Sequence, residues 1–329
     1  MNIKNRILWI DTLKALGIFF IILGHIGEGA GKLYSFVYLF HVPLFFFLSG
    51  IFHKNSESIF LFIAKKFRTL IIPYFVFSIV AIVVFFLRFP NSNKDIFDII
   101  SPLLFGIRNT TFYAEALWFF PCLFFTSIFF EITSKIFKNK SSLLLASIIL
   151  FYLISLLPSS PPSSKPQLVF NIDSSIYYML FYTLGYLFSD NIKKIELLNI
   201  KNILIFSFLS LISIYLYING NSIFYKLSYG IKPIALTITP IISLIIIYNF
   251  IFISLILSKI ELISNVGKKT LVICGTESIS KGIILSLTSM FGFNLYVLTP
   301  FAAICFSLFI ICVSCVLHRY TFNKYKYFQ

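Results

Sequence analysis

Apolar runs about as long as a bilayer is thick recur along the whole chain, separated by polar segments. A membrane-spanning helix needs roughly 20 predominantly apolar residues. Ten runs approach or exceed that length: 7–26, 34–52, 69–88, 115–133, 142–158, 173–189, 200–218, 233–257, 270–290 and 295–317. The second and sixth are at the short end, and the eighth is long enough to tilt. The pattern predicts an all-α integral membrane protein, a bundle of about ten transmembrane helices in a single domain over residues 1–329. No polar block is large enough for a separate soluble domain. The longest outer loops are 89–114 and 158–172, and the second contains the tract PSSPPSSKP, too rich in proline for regular structure.

Composition agrees: 58% of residues are hydrophobic, 12% are charged, and mean hydropathy is +0.93. A net charge of +15 would suit a nucleic-acid partner, but the basic residues lie in loops between apolar runs, so none is expected. Their distribution sets an orientation instead, because lysine and arginine collect on the cytoplasmic side. With the N-terminus inside, the inner segments hold 18 of them and the outer ones seven, while Lys14 and Lys281 lie within spans. Both termini are therefore expected in the cytoplasm. Lys4 and Arg6 before an apolar run resemble a signal sequence, but Asp11 and Lys14 interrupt the run and no A-x-A site follows, which points to an uncleaved first span. The five cysteines fall inside apolar runs without paired metal spacing and read as core or lipid-facing residues.

Candidate chemistry starts in WIDTLKALGIFFIILGH, Trp9–His25, an apolar helix carrying Asp11, Lys14 and His25. Ionisable groups inside a membrane segment face a bundle interior or a cavity and usually serve a function. At about 100° per residue the three point along one side of the helix, with Lys14 and His25 about 16 Å apart along its axis. Asp11 and Lys14, three apart, also have the spacing to neutralise each other. The next span reads LFHVPLFFFLSG, and the return of the chain can bring His41 to the depth of His25. Two histidines meeting there suggest proton transfer. A metal is not expected, since no third or fourth ligand accompanies them at suitable spacing. In FRTLIIPYF, Arg68 with Lys65 and Lys66 offers a cationic mouth to a phosphate-bearing ligand, with Tyr74 further in. Glu115 and Trp118 in EALWFFPCLF sit at an outer end, where Trp118 can be a belt residue or stack on a sugar. Glu277 and Lys281, four apart in an apolar run, are placed to pair along one helix face, for structure or for an active site.

Four of these stretches, in this order, resemble the membrane-bound acyltransferase-3 family, which includes bacterial O-acetyltransferases of surface polysaccharides: WIDTLKALGIFFIILGH, FHVPLFFFLSG, FRTLIIPY and ALWFFPCLF. GKKTLVICGTE adds a weaker match. The resemblance implies roughly ten helices, acetyl-CoA as donor at the cytoplasmic face, and transfer of acetyl to a sugar hydroxyl on the outer side. It maps the family's essential histidine to His25, the histidine of its F-H-x-P stretch to His41, its early acidic residue to Asp11 and its arginine before I-P-Y to Arg68. Many members have arginine where Lys14 stands, and histidine where this chain has Glu277. The expectation is an O-acyltransferase of the bacterial inner membrane, with an acyl-CoA donor and a glycan or lipid-linked acceptor. His25, His41 and Asp11 would be catalytic, Lys14, Arg68 and Tyr74 would serve the donor, and Trp118, Glu115 and Glu277 the acceptor. Whether His25 acts as a base or carries the acyl group is open. A transporter or flippase using the same polar stripe is the alternative.

Overall fold

A computed structural model describes residues 7–89, 92, 95–108, 110, 116–156, 165–189, 191, 199–223, 232–293 and 295–322. Among these residues the chain is helical and contains no strand. The helices used below are α1 (Leu8–Gly24), α2 (Lys32–Tyr38), α3 (His41–Ile51), α4 (Ile59–Lys66), α5 (Ile72–Arg88), α6 (Ile96–Phe105), α7 (Phe119–Ile136), α8 (Lys140–Ser155), α9 (Ile172–Leu187), α10 (Ile200–Ile218), α11 (Lys232–Leu257), α12 (Glu261–Gly267), α13 (Thr270–Met290) and α14 (Pro300–Leu317). Each of the ten predicted runs coincides with helix. Among the described residues, 7 helices are long and apolar enough to cross a membrane. The runs at α1, α8 and α9 fold into helices of 17, 16 and 16 residues. At about 1.5 Å per residue these are shorter than a hydrocarbon core of roughly 30 Å.

Two prolines explain where helices bend. Pro43 cannot donate the N–H that would bond to the Leu39 carbonyl one turn back. The second predicted span accordingly breaks between α2 and α3, and the Ser243 hydroxyl donates to Leu39 O at 2.5 Å. Pro73 acts in the same way on the third span. The missing bond is absorbed by a π-helical turn over Phe67–Ile71, which joins α4 to α5. That span is therefore the continuous helix Ile59–Arg88 of 30 residues, ten residues longer at its start than the apolar run suggests. Polar caps begin other helices: Asn139 accepts from Ser141 N, Asn199 from Lys201 N and Thr299 from Ala302 N.

α1 is the central element. Ile10, Leu13 and Leu23 join one buried cluster with Phe40, Ile246 and Ile251, while Ile18 and Ile22 join another with Tyr74, Phe77, Ile273 and Ile310. Gly267, ending α12, lies so close to α1 that a Cβ there would sit 1.7 Å from the Asp11 carbonyl oxygen. Further along, His25 meets Glu277 of α13. These two contacts come in the same order on both segments, so α1 and α13 run parallel. α3 and α9 also run parallel, with Phe46 stacked on Tyr178 at 4.5 Å and Gly50 against Tyr182. Small residues make this close approach possible. At the opposite extreme, α10 turns Phe208 and Leu211 outward, both more than 60% exposed, as a lipid-facing helix would.

The connecting segments sort to two ends. At one, the turn after α1 packs on Val297 and Pro300, while Gly106 and Arg108 meet Asn171. At the other, Phe52 meets Lys14 and the segment after α3 meets Glu131 and Lys135. Cys122 and Cys274 are buried, whereas Cys305 and Cys312 are exposed.

Candidate active site

His25 caps the C-terminus of α1, where its backbone N–H still donates to Ile21 O at 3.0 Å and its ring leaves the helix. Nδ1 of that ring lies 2.7 Å from Oε1 of Glu277. Both side chains are largely buried, with 16% and 5% exposed. A carboxylate at this distance accepts a hydrogen bond from Nδ1–H and fixes the tautomer, leaving Nε2 as the basic nitrogen. Among the described residues, Oε2 of Glu277 is buried without a hydrogen-bond partner. Glu277 thus turns across to α1 instead of pairing with Lys281, the contact its spacing on α13 had suggested.

His41 is placed by the break at Pro43. The Val37 carbonyl is left one turn before it, and His41 Nδ1 donates to that oxygen at 2.6 Å. Tyr38 packs edge-on against the ring at 4.8 Å. With Nδ1 as donor, the neutral ring keeps Nε2 as an acceptor. His25 and His41 line one small cleft together with Arg108, Trp118, Phe119 and Cys274. The remaining wall is apolar: Ile21, Val42, Phe45 and Ala116. A low-dielectric wall of this kind strengthens the interactions between charges inside the cleft.

The other sequence candidates are distributed as follows. Asp11 is buried and pairs with Lys14 at 3.5 Å, and Lys14 Nζ lies 4.9 Å from the Phe52 ring. They occupy the far end of α1, about 16 Å or more from His25 along its axis. Arg68 is exposed on the π-helical turn. Tyr74 is fully buried, its hydroxyl donating to Leu103 O at 2.7 Å. That bond ties α6 to α5. Trp118 is 4% exposed, and Arg108 lies 4.5 Å above its ring. The indole face offered for a sugar is therefore covered by a guanidinium. Glu115 lies outside the described residues.

His25 and His41 thus share one cleft, with Asp11 and Arg68 in the expected order along the chain. A family profile described as an acyltransferase domain, acyltransferase-3, matches residues 7–319. The chain belongs to that family. It is a membrane acyltransferase by family and by its apolar helices. Comparisons with curated proteins and with solved structures return no match.

Two features of this acyltransferase escaped sequence reasoning. Arg108 was counted only as one of the outer cations, and nothing local marks it, because its place in the cleft depends on Asn171 from a distant segment. The second is a buried cluster at the opposite end. His53 Nε2 lies 2.9 Å from Glu131 Oε2, with both side chains fully buried, and Lys135 lies 3.3 Å from Oε1. His53 Nδ1 is 3.0 Å from the Tyr182 hydroxyl, and Ser56 N donates to Glu131 at 3.2 Å. Burial holds the His53 imidazole below its usual value; Glu131 pulls it back up and Lys66 adds to the depression. Glu131 did carry a signal, being an acid inside an apolar run.

Proposed function

We propose that this protein is an O-acyltransferase that moves acetyl from acetyl-CoA to a hydroxyl of a cell-surface polysaccharide or its lipid-linked precursor. The observation that carries the reading is the 2.7 Å contact of His25 Nδ1 with Glu277, on a cleft that His41 shares. Held in this way, His25 Nε2 removes the acceptor's hydroxyl proton as the oxygen attacks the thioester carbonyl, and returns it to the departing thiolate. Glu277 sets the tautomer and stabilises the imidazolium, so its role is positioning, not the acceptor contact first expected. His41 Nε2 accepts a hydrogen bond from the acceptor and orients it.

The proposed setting is a single domain in the bacterial inner membrane, with about ten spans and both termini in the cytoplasm. α1, α8 and α9 would then cross a locally thinned bilayer, at a modest cost per ångström of mismatch. Asp11 and Lys14 would face the donor near the cytoplasmic level, and Arg68 with Lys65 and Lys66 would receive its phosphates. Membrane lipid surrounds the bundle.

The experiment is NMR of surface glycans before and after mild base, in cells lacking the protein and in cells restored with it or with His25→Ala. Ester-linked acetyl should vanish without the protein and fail to return with His25→Ala, although the variant reaches the membrane. Unchanged acetylation would overturn the reading.

A further inference from the structure

Attack on a thioester places a full negative charge on the former carbonyl oxygen, and the cleft must meet it. A neutral His41 cannot do so, since its Nδ1–H donates to the Val37 carbonyl and Nε2 presents a lone pair. His25 takes up a proton only in the same step. Among the described residues lining the cleft, Arg108 is the one permanent cation.

Its setting is unusually fixed. The Arg108 backbone N–H donates to Asn171 Oδ1 at 2.8 Å, and Asn171 Nδ2 donates to Gly106 O at 2.6 Å. Asn171 is fully buried and holds a left-handed backbone, φ 57°, at the start of α9. It clamps the residues on either side of Ile107. The guanidinium lies over Trp118 at 4.5 Å and shares a hydrogen bond with the Tyr178 hydroxyl. An arginine that only attracts an anionic ligand needs none of this. Donors fixed before reaction, in a site walled by apolar groups, are what stabilises a charge that develops only in the transition state.

We propose that Arg108 is the catalytic residue that binds the oxyanion of the tetrahedral intermediate. This rests on the acyl-transfer reading above. The acceptor oxygen bonds to the thioester carbon as its proton passes to His25 Nε2, and the carbonyl π pair moves onto oxygen facing the Arg108 N–H groups. The pair then returns to re-form the carbonyl, the C–S bond breaks, and the thiolate takes the proton from His25. The products are an ester and a free thiol.

The test uses the full-length protein in proteoliposomes, with radiolabelled acetyl-CoA and the host's extracted glycolipid fraction. Arg108→Gln should lower kcat by about 10²–10³-fold with little change in either KM, the usual loss for one oxyanion donor. Arg108→Lys, which keeps the charge but not the planar fork, should fall between. Added guanidinium ion should restore part of the activity of Arg108→Ala, a rescue that a misfolded protein cannot give. A kcat within about threefold of wild type for Arg108→Gln, or a loss confined to the acceptor KM, overturns the assignment; the latter makes Arg108 an anchor for an anionic acceptor. If wild type transfers acetyl and His25→Ala does not, the acyl-transfer reading survives that result. If wild type transfers none, that reading fails first.

Discussion

Glu277 sits 2.7 Å from His25 Nδ1, so the state of one side chain fixes that of the other. Glu277→Gln preserves shape but lets the amide offer N–H as well as O, and it removes the charge that stabilises the imidazolium. We expect transfer to fall by about 10²–10⁴-fold, the range for a positioned general base, with the protein still inserted in the membrane. Steady-state transfer from acetyl-CoA checks this, and a rate near wild type would remove Glu277 from the machinery. At the other end, Glu131 is buried against His53 and Lys135. Removing one member of a buried ionic cluster strands the others and typically costs about 3–5 kcal/mol. Glu131→Ala should therefore lower the melting temperature in detergent clearly, while Lys138→Ala, at an exposed position on the same side, should not.

Between helices, the α3–α9 contact is tight from both sides. A Cβ on Gly185 would lie 1.9 Å from Phe47 O, and one on Gly50 would lie 2.0 Å from Tyr182 O. Backbone atoms cannot turn aside as a side chain can, so Gly185→Val must separate the two helices. The expected cost is about 1–3 kcal/mol, as for other overpacked interiors, seen as a lowered melting temperature. A wild-type value would mean that the helices slide apart freely. α3 also carries His41 into the cleft, so a separated pair should lose transfer activity with stability. The break before α3 was not foreseen in the run 34–52, although its cause, the missing N–H of Pro43, is local. Nor was the length of Ile59–Arg88: Lys65, Lys66 and Arg68 interrupt the apolar pattern, yet helix continues through them by way of the π-helical turn.

For the whole molecule, the two ends make a testable topology. Phe293 lies in the segment after α13, and Lys138 lies between α7 and α8; both are exposed. In chains freed of native cysteine, Phe293→Cys should react with an impermeant thiol reagent added outside, and Lys138→Cys only after permeabilisation. Labelling of both from the same side would refute the ten-span arrangement. The sequence by itself determined the membrane class, the helices and their approximate ends. It also marked His25, His41 and Glu277 as expensive residues in apolar runs. These follow from local rules, since spanning lipid requires length, apolarity and internally satisfied backbone. Only the tertiary structure decided which of them meet. Glu277 had Lys281 within reach on its own helix and took His25 instead, and Trp118 received Arg108 on the face expected to hold a sugar. Arg108 reaches the cleft because Asn171, more than sixty residues away, supplies its backbone bond. Such pairings depend on how helices distant in sequence pack, and periodicity along one chain carries no record of that packing.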